Sequence, residues 1–433
     1  MSCFSKKIFR NKELKNAGWI IGCKIGKAVL SLVTTMILAR YLGVRNYGLI
    51  NYAAGLVTFV TPLMRLGIDS ILVYEIVNKP DEDGKIVGTA IGLNVISSLL
   101  CILGVVSFCF IASGKEIETI IVCLCYCLVL PFQAIEIIYY WFQAKLMVKY
   151  SSIAMLISYI CVAILQIMLT VVRANIYIFA MSYSVDFLVI SIVLMIQYRR
   201  NSDQKLVFSS VIARQLLKAG SYYIIPSLMV VIFSQTDKIM LKLMVSNDIT
   251  GIYSAAVTCA SMTSFIFAAV IDSFRPGIFE IAKQDCERFE KKLTGLYSAI
   301  IYFSLLQCVI ITCLAPFIIR IMYGNEYASS VPVLQIVVWF TTFSYVGTVR
   351  NIWLITEKKQ KYLLYVNIVG AVLNIVLNFI LIPVFKAEGA AIASLVTQFF
   401  TNVVTGIIIK PLRRNNVLML RGLSPKRIFD LFN

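Results

Sequence analysis

The sequence predicts an all-α membrane protein with about twelve transmembrane helices. Three observations predict it. The chain is 59% hydrophobic and only 14% charged, where a soluble domain is typically about 25% charged. Its apolar residues gather into runs long enough to cross a bilayer, which takes roughly 20 residues per helix. Its basic residues crowd into alternate connections between those runs.

The hydropathy pattern places spans at 17–39, 46–67, 86–112, 118–142, 151–171, 175–198, 216–240, 249–272, 295–319, 332–355, 362–384 and 388–409. The first follows a basic stretch, MSCFSKKIFRNKELKNAGW, with no small-residue cleavage site, so it reads as a retained helix rather than a removed signal. Tyr139, Tyr140 and Trp141 mark one helix end, where aromatic rings favour the membrane interface.

An even number of spans puts both termini on one side. One set of connections holds Lys6, Lys7 and Arg10, then Lys79 and Lys85, Lys145 and Lys149, Arg199 to Lys218, Arg275 to Lys292, Lys358 to Lys361, and Lys410 to Arg427. The alternate set holds isolated cations such as Lys115, Arg173 and Lys386. The excess of basic residues on the cytoplasmic side of membrane proteins then predicts cytoplasmic termini. The net charge of +18 is thereby explained without nucleic acid.

The longest basic connection, 199–215, divides the chain into an N-terminal lobe over 1–198 and a C-terminal lobe over 216–433, the latter ending in a basic tail. A weak repeat supports two pseudo-symmetric six-helix lobes: Gly48-Leu-Ile-Asn51-Tyr-Ala53 opens the second helix, and Gly251-Ile-Tyr-Ser254-Ala-Ala256 opens the eighth.

Catalytic chemistry finds no support. Histidine is absent, which removes the usual base near neutral pH and the commonest metal ligand. The twelve cysteines are scattered, without paired zinc-ligand spacing. No phosphate-binding Walker loop, GxSxG or HExxH is present. The chain therefore reads as neither an enzyme nor a metalloprotein.

What remains is charge inside apolar spans, which costs about 2.5–3.5 kcal/mol per group at the bilayer centre and normally faces a polar cavity or a partner. Lys24 and Lys27 share a face of the first helix with Ser31. With Arg65 and Arg350 they form a candidate cationic cavity for an anion; arginine and lysine both suit phosphate. Glu136, Asp186 and Asp272 are candidates for coupling to a proton or sodium ion. Asp237, Lys238 and Arg275 lie near helix ends, as gate or structural pairs, and Arg275 has the spacing to pair with Asp272. Gly18, Gly22 and Gly26 form a small-residue stripe suited to close helix packing.

Two stretches carry a family resemblance. ARYLGVRNYGLINYA, residues 39–53, and TEKKQKYLLYVNIVGAVLNIVLNFILIPVFKAEGAAIAS, residues 356–394, resemble the Wzx-type polysaccharide repeat-unit flippases. Asn374, Asn378, Ile382-Pro383, Gly389-Ala390-Ala391 and Arg275-Pro276 carry it. That family belongs to the multidrug, oligosaccharidyl-lipid and polysaccharide exporters. The resemblance implies two lobes in a MATE-like V. It also implies alternating-access transfer of undecaprenyl-diphosphate-linked O-antigen or capsule units across a bacterial cytoplasmic membrane, alongside polymerase and chain-length proteins of one pathway.

Three alternatives compete. A multidrug or organic-ion exporter of the same superfamily would more often carry acidic groups for cationic cargo. A lipid II flippase usually has two further helices. A membrane polymerase or glycosyltransferase would be expected to show a large outer loop or a soluble catalytic domain, whereas the outer loops here are short.

Overall fold

The computed structural model describes residues 3–431 except 113, 115 and 283, with side chains from Leu30 onward and Gly26. Among the described residues the regular structure is helical throughout, without a strand. Ten continuous stretches are long and apolar enough to cross a membrane. Two of them, Leu30–Asn78 and Lys361–Ile408, span 49 and 48 residues. At 1.5 Å per residue each is about 70 Å long, against a hydrocarbon core of about 30 Å. Both are interrupted inside. Helix α1 (Cys3–Met64) breaks at Gly43, whose φ of 69° costs a residue without a Cβ little. Helix α14 (Lys361–Phe399) breaks at Lys386, φ 51°. Each arm can cross alone, which accounts for the twelve crossings expected from hydropathy. The all-α multi-pass membrane fold is thereby established.

Between α1 and α14 lie α2 (Asp69–Asn78), α3 (Asp83–Ala112), α4 (Ile117–Cys127), α5 (Val129–Ile135), α6 (Ile138–Ala144), α7 (Val148–Val171) and α8 (Ile176–Asn201). Then come α9 (Ser210–Met244), α10 (Asn247–Ser261), α11 (Ser264–Ala282), α12 (Cys286–Met322) and α13 (Ser330–Thr356). After a π-helical turn at Phe400–Val404, the chain ends in α15 (Thr405–Ile408), α16 (Arg413–Arg421) and a 3₁₀ segment, Pro425–Leu431. Asn175, Ser246 and Asp285 cap α8, α10 and α12 by accepting from backbone N–H groups of the first turn. Helix α2 lies in a stretch expected to be a connection; Gly67, at φ 67°, turns the chain into it.

The burial pattern is that of a membrane protein. Large apolar residues such as Leu100, Leu103, Ile111 and Val171 stand exposed, while Thr89, Asn94, Ser98, Asn374 and Asn378 are buried. Soluble monomers rarely expose apolar surface on this scale.

The chain forms two compact units. The first comprises 1–42 and 49–231, the second 43–48 and 232–433. The division falls within α9, whereas the sequence expectation placed it at the 199–215 connection. In the structure part of that connection is fixed to the first unit: Gln204 Oε1 accepts from the Gly84 N–H at 2.9 Å, and the Ser209 N–H donates to Thr89 Oγ1 at 2.9 Å. The first unit's core gathers Ile68, Leu72, Trp141, Phe142, Leu194 and Tyr198. The second gathers Phe289, Leu296, Tyr297, Val349 and Trp353.

Candidate functional site

In the first unit, Arg65 meets Glu136. Arg65 stands at the end of α1, and Glu136 sits where α5 gives way to α6, within a two-residue turn; α5, VLPFQAI, carries Pro131 at its third position. The guanidinium donates to Glu136 Oε2 at 3.1 Å and to the Tyr140 hydroxyl at 3.3 Å, and lies 3.9 Å from Asp69 Oδ2. One expected anion ligand and one expected coupling carboxylate are therefore ion-paired.

Asp186 on α8 accepts from Ser158 Oγ at 2.5 Å. It lines a cavity of about 170 Å³ inside the same unit, with Ser31, Thr34, Tyr159, Gln166 and Tyr183. Ser31 belongs to the helical face that also carries Lys24 and Lys27; the side chains of those two lysines lie outside the described residues. Hydroxyls, an amide and a carboxylate around a cavity in an apolar bundle make a hydrogen-bonding site.

The second unit holds a tighter constellation. Asp237, near the end of α9, is 4% exposed. Its carboxylate accepts from the Tyr253 hydroxyl of α10, from Asn378 Nδ2 at 2.6 Å and from the Ser394 hydroxyl, the latter two on the arms of α14. Asn378 Nδ2 also donates to Asn374 Oδ1 at 3.0 Å. Asn378 Oδ1 is buried without a hydrogen-bond partner among the described residues. Among the described residues, the hydrogen-bond donors on this carboxylate are neutral hydroxyls and an amide. Each such bond contributes about 1.5–3 kcal/mol. Oxygen groups around a buried carboxylate are of the kind that could hold a proton or a small cation.

Asp237, expected with Lys238 and Arg275 as a gate or structural group near helix ends, turns its carboxylate to α10 and α14. Its partners Asn374 and Asn378 stood out in the sequence only as carriers of a resemblance. The signal that marks them is a pair of amides one helical turn apart within a largely apolar crossing.

Arg350 belongs to the second unit, while Lys24, Lys27 and Arg65 belong to the first. It is 6% exposed. Its Nη1 donates to the Thr401 carbonyl at 2.7 Å, and its Nε has no hydrogen-bond partner among the described residues. Thr401 lies in the π-helical turn, and its carbonyl also accepts from the Thr405 hydroxyl at 2.6 Å. Asp272 and Arg275 pair at 3.1 Å, and both are substantially exposed. A further buried carboxylate, Asp83, accepts from Trp141 Nε1 at 2.9 Å and pairs with Lys145 at 3.0 Å.

Comparison with known proteins follows the geometry. A family model described as polysaccharide biosynthesis protein matches residues 14–282. An uncharacterised membrane protein of Methanocaldococcus jannaschii is 25% identical over 232 residues, 50% of this chain and 45% of that protein. The chain thus spans about half the length of the curated relative it matches. Among solved structures, a lipid II flippase MurJ in an inward closed conformation superposes with a TM-score of 0.72 and 15% identity, covering 93% of this chain and 90% of that one. The MATE multidrug transporter DinF-BH gives 0.65 at 11% identity, with 94% and 96% covered. A Vibrio cholerae MATE transporter, VcmN, gives 0.58 at 13%, with 96% and 100% covered. At these identities the likeness is one of fold.

Proposed function

Because the chain belongs to the polysaccharide biosynthesis protein family, we propose that it is a Wzx-type flippase moving undecaprenyl-diphosphate-linked oligosaccharide repeat units, of O-antigen or capsule, from the cytoplasmic to the outer leaflet of a bacterial cytoplasmic membrane. Both termini lie in the cytoplasm. The lipid tail stays in the bilayer, the diphosphate is drawn by Lys24, Lys27 and Arg65, and alternating access carries the sugars across. Arg350 supports the second unit's share of the positive field. The fold likeness to a lipid II flippase supports cargo of this class.

The observation that carries the mechanism is the buried Asp237 constellation. A transporter with no nucleotide-binding loop needs another source of free energy, and a dry carboxylate ringed by amides and hydroxyls is a site for a proton or sodium ion. Asp237, Asn378 and Ser394 would hold the ion, whose charge would neutralise the carboxylate. Asp186, in its hydrogen-bonding cavity, and Glu136, paired with Arg65, are the coupling candidates of the first unit.

The test is a gene deletion with lipid-linked sugars assayed on each face of the membrane. Complete repeat units should accumulate on the cytoplasmic face, with loss of surface polysaccharide. Normal surface polysaccharide with altered drug tolerance would overturn this reading in favour of an exporter.

A further inference from the structure

We propose that the segment following the last crossing, residues 409–431, is a preformed docking surface for anionic phospholipid headgroups. Its inner side is fixed to the second unit. The Tyr297 hydroxyl donates to Asn415 Oδ1 at 2.8 Å, Asn416 Nδ2 to the Val403 carbonyl at 2.7 Å, and the Tyr302 hydroxyl to the Leu423 carbonyl at 2.6 Å. Leu412, Leu418, Met419 and Leu431 are buried in that unit's core. A Cβ on Gly295 would strike the Leu431 and Arg427 backbone, so the segment lies directly against α12.

Its outer side is of another kind. At 100° per residue, Arg413, Arg414, Val417, Leu420 and Arg421 of α16 fall on one face, opposite the buried Asn415, Leu418 and Met419. Val417 and Leu420 are 46% and 50% exposed, and Phe429 beyond the helix is 70% exposed. Arg413 is held on the Ile407 carbonyl and Arg414 on Glu290. Arg421 and Lys426 make no hydrogen bond or ion pair among the described residues and stand exposed. The stretch Lys410–Asp430 carries six cations and one acid.

Cations interleaved with exposed leucine, valine and phenylalanine suit the boundary between headgroups and acyl chains. Nucleic acid would match the charge and leave the apolar side chains without a partner. The segment also continues directly from Ile407 and Ile408, exposed at the end of the last crossing. Its occupant is therefore the adjacent leaflet, and its charge selects anionic headgroups.

The experiment titrates the detergent-solubilised full chain with phosphatidylglycerol or phosphatidylcholine and follows thermal denaturation. The wild type should be stabilised at lower concentrations of phosphatidylglycerol. Arg421→Gln with Lys426→Gln should melt unchanged without lipid yet need about tenfold more of it. Arg421→Lys with Lys426→Arg should keep the preference. Equal response of the wild type to both lipids, an unaltered response of the glutamine variant, or loss of the preference in the charge-conserving variant would overturn the proposal. None of these outcomes depends on what the protein transports.

Discussion

Asn378 reaches across from α14 to donate to Asp237 on α9, at 2.6 Å, with both side chains sealed from solvent. Asp237→Asn keeps the shape and removes the charge, so nothing remains to bind or release an ion. Transport in proteoliposomes under an imposed proton or sodium gradient should fall to background while the protein stays folded. Asp237→Ala should also lower stability by about 3 kcal/mol, since Tyr253, Asn378 and Ser394 lose their common acceptor. Gradient-driven transport by Asp237→Asn at the wild-type rate would exclude the site from coupling.

Arg65 and Glu136 make a second test. Each is removed alone and then together, and stability is measured in one detergent. Because the pair is partly shielded, the double variant should recover about 1 kcal/mol of the summed loss. Simple additivity would show that the pair contributes nothing. Arg65→Lys keeps the charge without the two-pronged geometry that serves Glu136 and Tyr140 together, so it should fall between wild type and Arg65→Ala.

Gly48 and Gly251 supply a steric test. A Cβ on Gly48 would collide with the Asn247 carbonyl, and one on Gly251 with the Val44 carbonyl. Alanine at either position should lower the yield of folded protein and cost about 1–3 kcal/mol. Gly104→Ala, which meets nothing within 4 Å, is the matched control and should behave as wild type.

These glycines also show what the sequence held. They were visible as matching positions in a weak repeat, and the structure shows them packed against each other. Apolar runs fixed the crossings well, because a bilayer sets helix length directly, and even the breaks at Gly43 and Lys386 fall between expected spans. The constellations were harder to read. Arg65 and Glu136 are 71 positions apart, and Asp237 and Asn378 141 apart. No helical periodicity links such residues; only the packing of distant helices does. Hydropathy is blind to Asp237's site for another reason: its partners are uncharged, and an asparagine or serine within an apolar run hardly alters the average.

Lys27 and Arg350 separate an electrostatic role from a structural one. If the cationic field draws in the diphosphate, Lys27→Ala should abolish translocation of lipid-linked sugar while expression and melting stay unchanged, and Lys27→Arg should keep most activity because the demand is for charge. Arg350 differs in that its guanidinium also ties α13 to the Thr401 carbonyl in the π-helical turn. Arg350→Ala should therefore lose transport and also about 1.5–3 kcal/mol of stability, the contribution of one charged hydrogen bond, since the Thr405 hydroxyl still donates to the Thr401 carbonyl. Arg350→Lys restores the charge on a single point donor and should recover part of each. The measurement is paired: translocation in inverted vesicles beside melting of the purified variant. Full transport by Lys27→Ala and Arg350→Ala together would remove the cationic route for the diphosphate.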